Sequence, residues 1–147
     1  MASNIRVFTI SLKHGTDLKD SIEEFIVDKG LKAPFIVTCV GSLNSATLAL
    51  NATASRGPPF PSYEKVKSFD NENFEICSLV GTLSPMGSHL HIVLGRADGS
   101  VVAGHVVGNV TVQTTAEVVI GESMAEIYNR KYDPFTSYNE LEVLKRE

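Results

Sequence analysis

A chain of 147 residues, 43% hydrophobic and 20% charged, is long enough to build one hydrophobic core that needs neither disulfides nor a structural metal. Its 13 Lys and Arg against 17 Asp and Glu give a net charge of −4, which argues against a stand-alone nucleic-acid binder, whose affinity comes mainly from neutralising phosphates. No apolar run approaches the roughly 18 residues of a membrane-spanning helix, and residues 1–6 lack the apolar core of a signal peptide, so an intracellular protein is expected.

Residues 5–12, rich in β-branched side chains, predict a strand closed by Lys13-His14-Gly15, with His14 an exposed turn residue. Leu18, Ile22, Phe25 and Ile26 then recur at helical spacing, with Thr16 or Asp17 as cap and Gly30 as stop, which predicts a helix laid against a sheet. Residues 35–40 read as a short buried strand, Gly41-Ser42 as its punctuation and 46–52 as another strand. The Pro-rich stretch 56–61 reads as a surface loop. Further strands are predicted at 74–83, 89–95, 100–107 and 110–120, the last with Val110, Val112, Thr114, Ala116, Val118 and Ile120 alternating against polar neighbours. After Gly121, the spacing of Met124, Ile127 and Tyr128 predicts a short helix ended by Asp133-Pro134, and 138–147 reads as a loose or partner-docked tail. Cys39 and Cys77 both fall in apolar segments without a basic neighbour and read as small hydrophobes rather than nucleophiles.

Three of the four histidines lie in the strand-rich half. His89 and His91 are two apart and therefore share one face of a strand. If Ala97-Asp98-Gly99 forms a three-residue loop with Gly99 in the left-handed position, Arg96 pairs with Ser100, Gly95 faces Val101, Val93 faces Ala103 and His91 faces His105. A two-residue turn would shift the pairing by one and send His105 to the opposite face. In the first register three imidazoles converge, a donor set suited to zinc or a similar divalent transition metal with positions left open for a ligand. Ala103 and Gly104 would leave room beside it. The alternative is that these histidines occupy polar positions on the sheet, or at a subunit interface, with no ion between them.

Glu117 and Glu122 are weaker candidates for orienting a histidine or acting as a general base, and solvated carboxylates are the simpler reading for both. The glycines form neither a dinucleotide fingerprint nor a P-loop, and no nucleophile elbow is present, so no catalytic residue is assigned.

The ordered strings Gly41-Ser42-Leu43-Asn44-Ser45-Ala46-Thr47-Leu48, Phe74-Glu75-Ile76-Cys77-Ser78-Leu79-Val80-Gly81-Thr82-Leu83-Ser84 and His89-Leu90-His91-Ile92-Val93-Leu94-Gly95, followed by Asp98-Gly99 and Gly104-His105, resemble the plants-and-prokaryotes conserved domain. The resemblance spans roughly residues 5–122 and leaves 123–147 as a C-terminal extension to a domain of 1–122. It implies an α+β fold, an antiparallel β-sheet with one main helix packed on it, assembled as a homotrimer. For prokaryotic members it implies a metal at the positions of His89, His91 and His105. The chain departs from plant members in lacking their Arg-Gly-Arg-Pro hooks for AT-rich DNA and in having Asn73 where they tend to carry Arg before the Phe-Glu-Ile string.

Two functional readings follow. One is a homotrimer that binds a divalent transition metal or small ligand through the three histidines. The other is a trimeric protein-interaction module associated with transcription regulation or DNA binding, without chemistry of its own. The expected location is the cytoplasm, with the nucleus as the alternative, and no membrane partner is expected.

Overall fold

A computed structural model describes residues 2–50 and 65–147, so the Pro-rich stretch 56–61 and the end of the strand expected at 46–52 lie outside the described residues. The chain runs β1 (Ile5–Lys13), α1 (Leu18–Lys29), β2 (Pro34–Leu50), β3 (Lys65–Ser84), β4 (Gly87–Gly95), β5 (Val101–Gly108), β6 (Val112–Ser123), β7 (Glu126–Asp133) and β8 (Tyr138–Lys145). Six strands form one antiparallel sheet in the order β1-β6-β2-β3-β4-β5, and a further pairing of β2 with β5 curls it back on itself. This is the α+β architecture expected from the sequence.

The curl depends on the length of β2. One edge of this 17-residue strand pairs with β3 along most of its length, while the other pairs first with β6 (Pro34 to Leu43) and then with β5 (Thr47 to Ala49). Closure leaves fewer unpaired edges to attract other chains. The two short strands expected on either side of Gly41-Ser42 are therefore one. Gly41 opposes Ala116 just before a register shift, with φ at 151°, and an added Cβ would lie 2.2 Å from the carbonyl oxygen of Thr115. Glycine lets the backbones meet here, so it marks a bulge inside a strand and not its end.

Helix α1 forms where its apolar spacing predicts and buries Leu18, Ile22 and Ile26 against the sheet, with Phe25 edge-on to Phe8 at 5.7 Å. Asp17 is the cap. Its carboxylate accepts from the amide of Asp20 at 2.9 Å and from that of Val110 at 3.0 Å, so it ends the helix and ties it to the approach of β6. Gly30, at φ 62°, closes the other end while Leu31 donates back to the Ile26 carbonyl at 3.0 Å. The core unites these helical residues with Leu43, Phe74, Leu90, Ile92, Leu94, Val112, Val118 and Ile120.

Four further expectations from the sequence are corrected by this fold. Strand β3 begins at Lys65, well before Phe74, because its first half is largely charged and polar and carries no apolar alternation to announce it. Cys77 is exposed, since it occupies a register shift between Ile76 and Ser78 that turns it out of the core, whereas Cys39 is buried and burial pushes its thiol up to about 11. The segment after Gly121 is neither a helix nor a loose tail. It is the hairpin β7–β8, in which the amide of Ser137 donates to the Asp133 carbonyl at 2.8 Å and Asp133-Pro134 turns the chain instead of ending a helix. A two-stranded hairpin is marginal alone. This one is docked, through Tyr128 donating to the Lys32 carbonyl at 2.8 Å and Arg146 reaching Glu122 at 2.6 Å.

Glu122 is the fourth. It is 0% exposed, not solvated, and its carboxylate receives Arg6 of β1 at 2.6 Å, Arg146 beyond β8 at 2.6 Å and the amide of Lys32 at 2.7 Å. Burial by itself would raise its pKa, but the three donors outweigh that and hold it below the usual carboxylate range.

Candidate metal centre

Strands β4 and β5 place the histidines. Along β4, Leu90, Ile92 and Leu94 point into the core, so His89, His91 and Val93 point out. The loop after β4 has the three-residue form. Arg96 donates to the Ser100 carbonyl at 2.8 Å, Gly99 donates to the Arg96 carbonyl at 3.0 Å, and Gly99 sits at φ 85°. Gly95 then pairs with Val101, Val93 with Ala103 and His91 with His105. The register predicted from the position of Gly99 is the one observed.

All three imidazoles consequently meet on the outer face of the sheet. Ring centroids are 4.8 Å apart for His89 and His91, 5.4 Å for His89 and His105, and 5.7 Å for His91 and His105. The Nε2 atoms of His89 and His91 lie 3.1 Å apart, and one donor nitrogen from each ring falls within 4.8 Å of the others. Three ligands at roughly 2.0–2.1 Å from a tetrahedral ion stand about 3.3 Å from one another, so the first pair is already spaced for it and ring rotation closes the rest. The donor set fits a divalent transition metal.

Electrostatics favour the same state. Burial, then the proximity of His89, His91 and Lys19, lowers the pKa of His105 to about 4. Burial, His91 and Arg130 lower that of His89, against the opposing pull of Glu140. These two imidazoles are therefore neutral at physiological pH and offer lone pairs without first releasing a proton.

The other sequence candidates lie elsewhere. Glu117 is exposed on β6, and Glu122 is committed to its two arginines, so neither orients a histidine. Gly104 does not leave room for a ligand: an added Cβ would stand 2.8 Å from the carbonyl oxygen of Ala49, and the glycine serves the close approach of β5 to β2. Ala103 does line the open side of the cluster. His14 is exposed and contacts the carbonyl of Gln113.

Sequence reasoning missed one wall of the site. Arg130, Tyr138 and Glu140 of the C-terminal hairpin face His89 and His105 across a cavity of about 460 Å³. Arg130 is fixed there by Nη2, which donates to the carbonyl and hydroxyl of Thr82 at 3.2 and 2.8 Å. The available signal was in β8, where Leu141 and Val143 alternate with Glu140 and Glu142.

Among known proteins, the chain is similar to the bifunctional protein GlmU of two Synechococcus strains, at 35% identity over 142 residues and 32% over 140. The match takes in 97% and 95% of this chain but only about a fifth of each relative, 21% and 20%. A solved structure of a hypothetical protein from Salmonella enterica superposes with a TM-score of 0.87 at 31% identity, covering 100% of this chain and 99% of that one. A protein from Archaeoglobus fulgidus, described as metal-containing, superposes with a TM-score of 0.75 at 27% identity, covering 95% and 96% of the two chains. The model of the Plants and Prokaryotes Conserved domain matches residues 1–124, and the chain belongs to that family.

Proposed function

We propose that this protein binds a divalent transition metal, zinc foremost, through His89, His91 and His105, and does so as a homotrimer. The observation that carries the metal is the convergence of three imidazole nitrogens within 4.8 Å on an outward face. A metal-containing relative of the same fold supports it. Such an ion would act as a Lewis acid with positions open to a small ligand. What the chain itself contributes is two neutral donors, a fixed ladder register and a cavity beside them.

Support for the trimer comes from the apolar surface left on β1, β6 and β2. Ser11 opposes Glu117 and Glu117 opposes Val40, so Val7, Val119 and Val40 share one outer face, with Val7 53% and Val40 56% exposed. The face also carries Thr9, Thr38 and Glu117, and exposed valines set among polar residues in this way are typical of interaction surfaces. The same face equally suits the second reading, a trimeric protein-interaction module.

Elemental analysis of protein purified without chelators tests the metal. About one zinc or similar ion per chain is expected, and metal-free protein that fails to take up added zinc would sink the reading. Replacing all three histidines separates the two functions, because an interaction module keeps its partner after the change and a metal-dependent binder does not.

A further inference from the structure

The cavity beside the histidines has a second charged wall whose chemistry the metal does not use. Arg130 reaches it from β7, tethered to Thr82, and Thr82 is the residue paired with His89 across the β3–β4 ladder. The guanidinium is thus held one strand away from a metal ligand by two hydrogen bonds, and it cannot swing freely into solvent. Among the described residues Arg130 forms no direct ion pair, although Glu140 across the cavity acts favourably on its charge, and its Nε is buried without a hydrogen-bond partner. A half-buried cation fixed in this way calls for an anion.

The cavity also holds one carboxylate, Glu140 on β8, kept in place by the Thr136 hydroxyl at 2.9 Å. An ionised carboxylate only accepts hydrogen bonds. A ligand that satisfies both walls therefore carries an anionic group for Arg130 and a hydroxyl or similar donor for Glu140. Hydrogen phosphate carries an anionic oxygen for the first wall and a P–OH for the second, so it is the competing ligand, but it is far smaller than the cavity. The volume, about 460 Å³, is that of a small-metabolite site.

We propose that this cavity binds a small hydroxy acid, its carboxylate on Arg130, its hydroxyl toward Glu140 and a further oxygen facing the metal held by His89, His91 and His105. The inference rests on the metal reading and adds to it the class of ligand. It also gives the hairpin β7–β8 a role, since the family match ends at residue 124 and the hairpin supplies the selecting wall.

The test is calorimetric and spectroscopic titration of the cobalt-loaded full chain with lactate, malate and citrate in turn, with inorganic phosphate as the contrast. Cobalt is titrated first and alone. If it does not bind, the metal reading falls and this inference falls with it. With cobalt bound, at least one hydroxy acid is expected to bind below millimolar Kd, to alter the visible cobalt spectrum and to outcompete phosphate. Arg130→Gln should weaken that acid at least tenfold without changing cobalt affinity, and Arg130→Lys, which keeps the charge but not the planar fork, should fall between. The lysine variant also carries the test if the glutamine variant does not fold by circular dichroism. Binding by none of the acids, phosphate binding more tightly than all three, or unchanged affinity in the folded arginine variants would each overturn the assignment while leaving the metal centre standing.

Discussion

His91 stands directly opposite His105 across the β4–β5 ladder, and that pairing is fixed by the turn at Gly99, well away from either ring. Backbone hydrogen bonding at the loop, and not any attraction between the imidazoles, brings the third nitrogen to the first two.

His91→Ala should therefore abolish the proposed metal binding and leave the fold. The side chain is exposed, so the change in stability should stay within about 0.5 kcal/mol. Zinc affinity should drop on the order of 100-fold or more with one of three ligands gone. Paired measurements of zinc binding by calorimetry and of unfolding by urea check both halves.

Glu122→Gln should cost about 3 kcal/mol, because it leaves Arg6 and Arg146 facing a buried neutral amide. The carboxylate also sets a pH dependence. Its folded pKa lies below the ordinary 4.5, so the unfolded chain binds the proton more readily. The stabilisation is present above about pH 4.5 and is lost as the pH falls through the lowered folded value. Urea melts between pH 7 and pH 3 should show the wild type losing stability faster than the glutamine variant.

Gly41→Ala should be among the most damaging single-methyl changes in the chain. The new Cβ would meet the Thr115 carbonyl oxygen at 2.2 Å and the Ala116 Cα at 2.7 Å, both backbone atoms of β6, which leaves nothing flexible to give way. A loss of about 3 kcal/mol or more, or failure to fold, is expected. Thermal unfolding alongside Gly99→Ala makes the comparison, since an added methyl at Gly99 meets nothing within 4 Å and costs only the left-handed backbone, about 1–2 kcal/mol.

Val40→Glu should prevent assembly of the proposed trimer. The side chain is 56% exposed on the face shared with Val7 and Val119, and a charge buried there without a partner opposes association. Sedimentation is expected to show a trimer for the wild type and a monomer for the variant, with β-structure retained in both.

The parts of this fold that were legible were those in which one local rule acts alone. The apolar stripe of α1, the alternation of Ala116, Val118 and Ile120 in β6 and the loop at Gly99 each carry their own period or turn chemistry and are seen as read, whereas Thr114, expected on the inward face, is exposed and the strand starts at Val112 and not at Val110. The histidine cluster followed from that loop by counting residues. What could not be read depended on partners far away in sequence. Gly41 looks like a strand terminator until Thr115 is known to lie against it. Glu122 looks solvated until Arg6 and Arg146 arrive from the two ends of the chain. In β7, Ile127 and Tyr128 at helical distance from Met124 misled, because local spacing does not reveal that Tyr128 pairs with Val143. Arg130 was lost with that misreading, and half of the cavity with it.

The carboxylate that gathers Arg6 and Arg146 also brings the two ends of the chain to one spot on the molecule. A unit whose two chain ends lie together can be joined to another polypeptide with both attachment points at one place, like a bead on a single knot. The stretches of the Synechococcus proteins that match this chain make up about a fifth of each of those polypeptides, 21% and 20%.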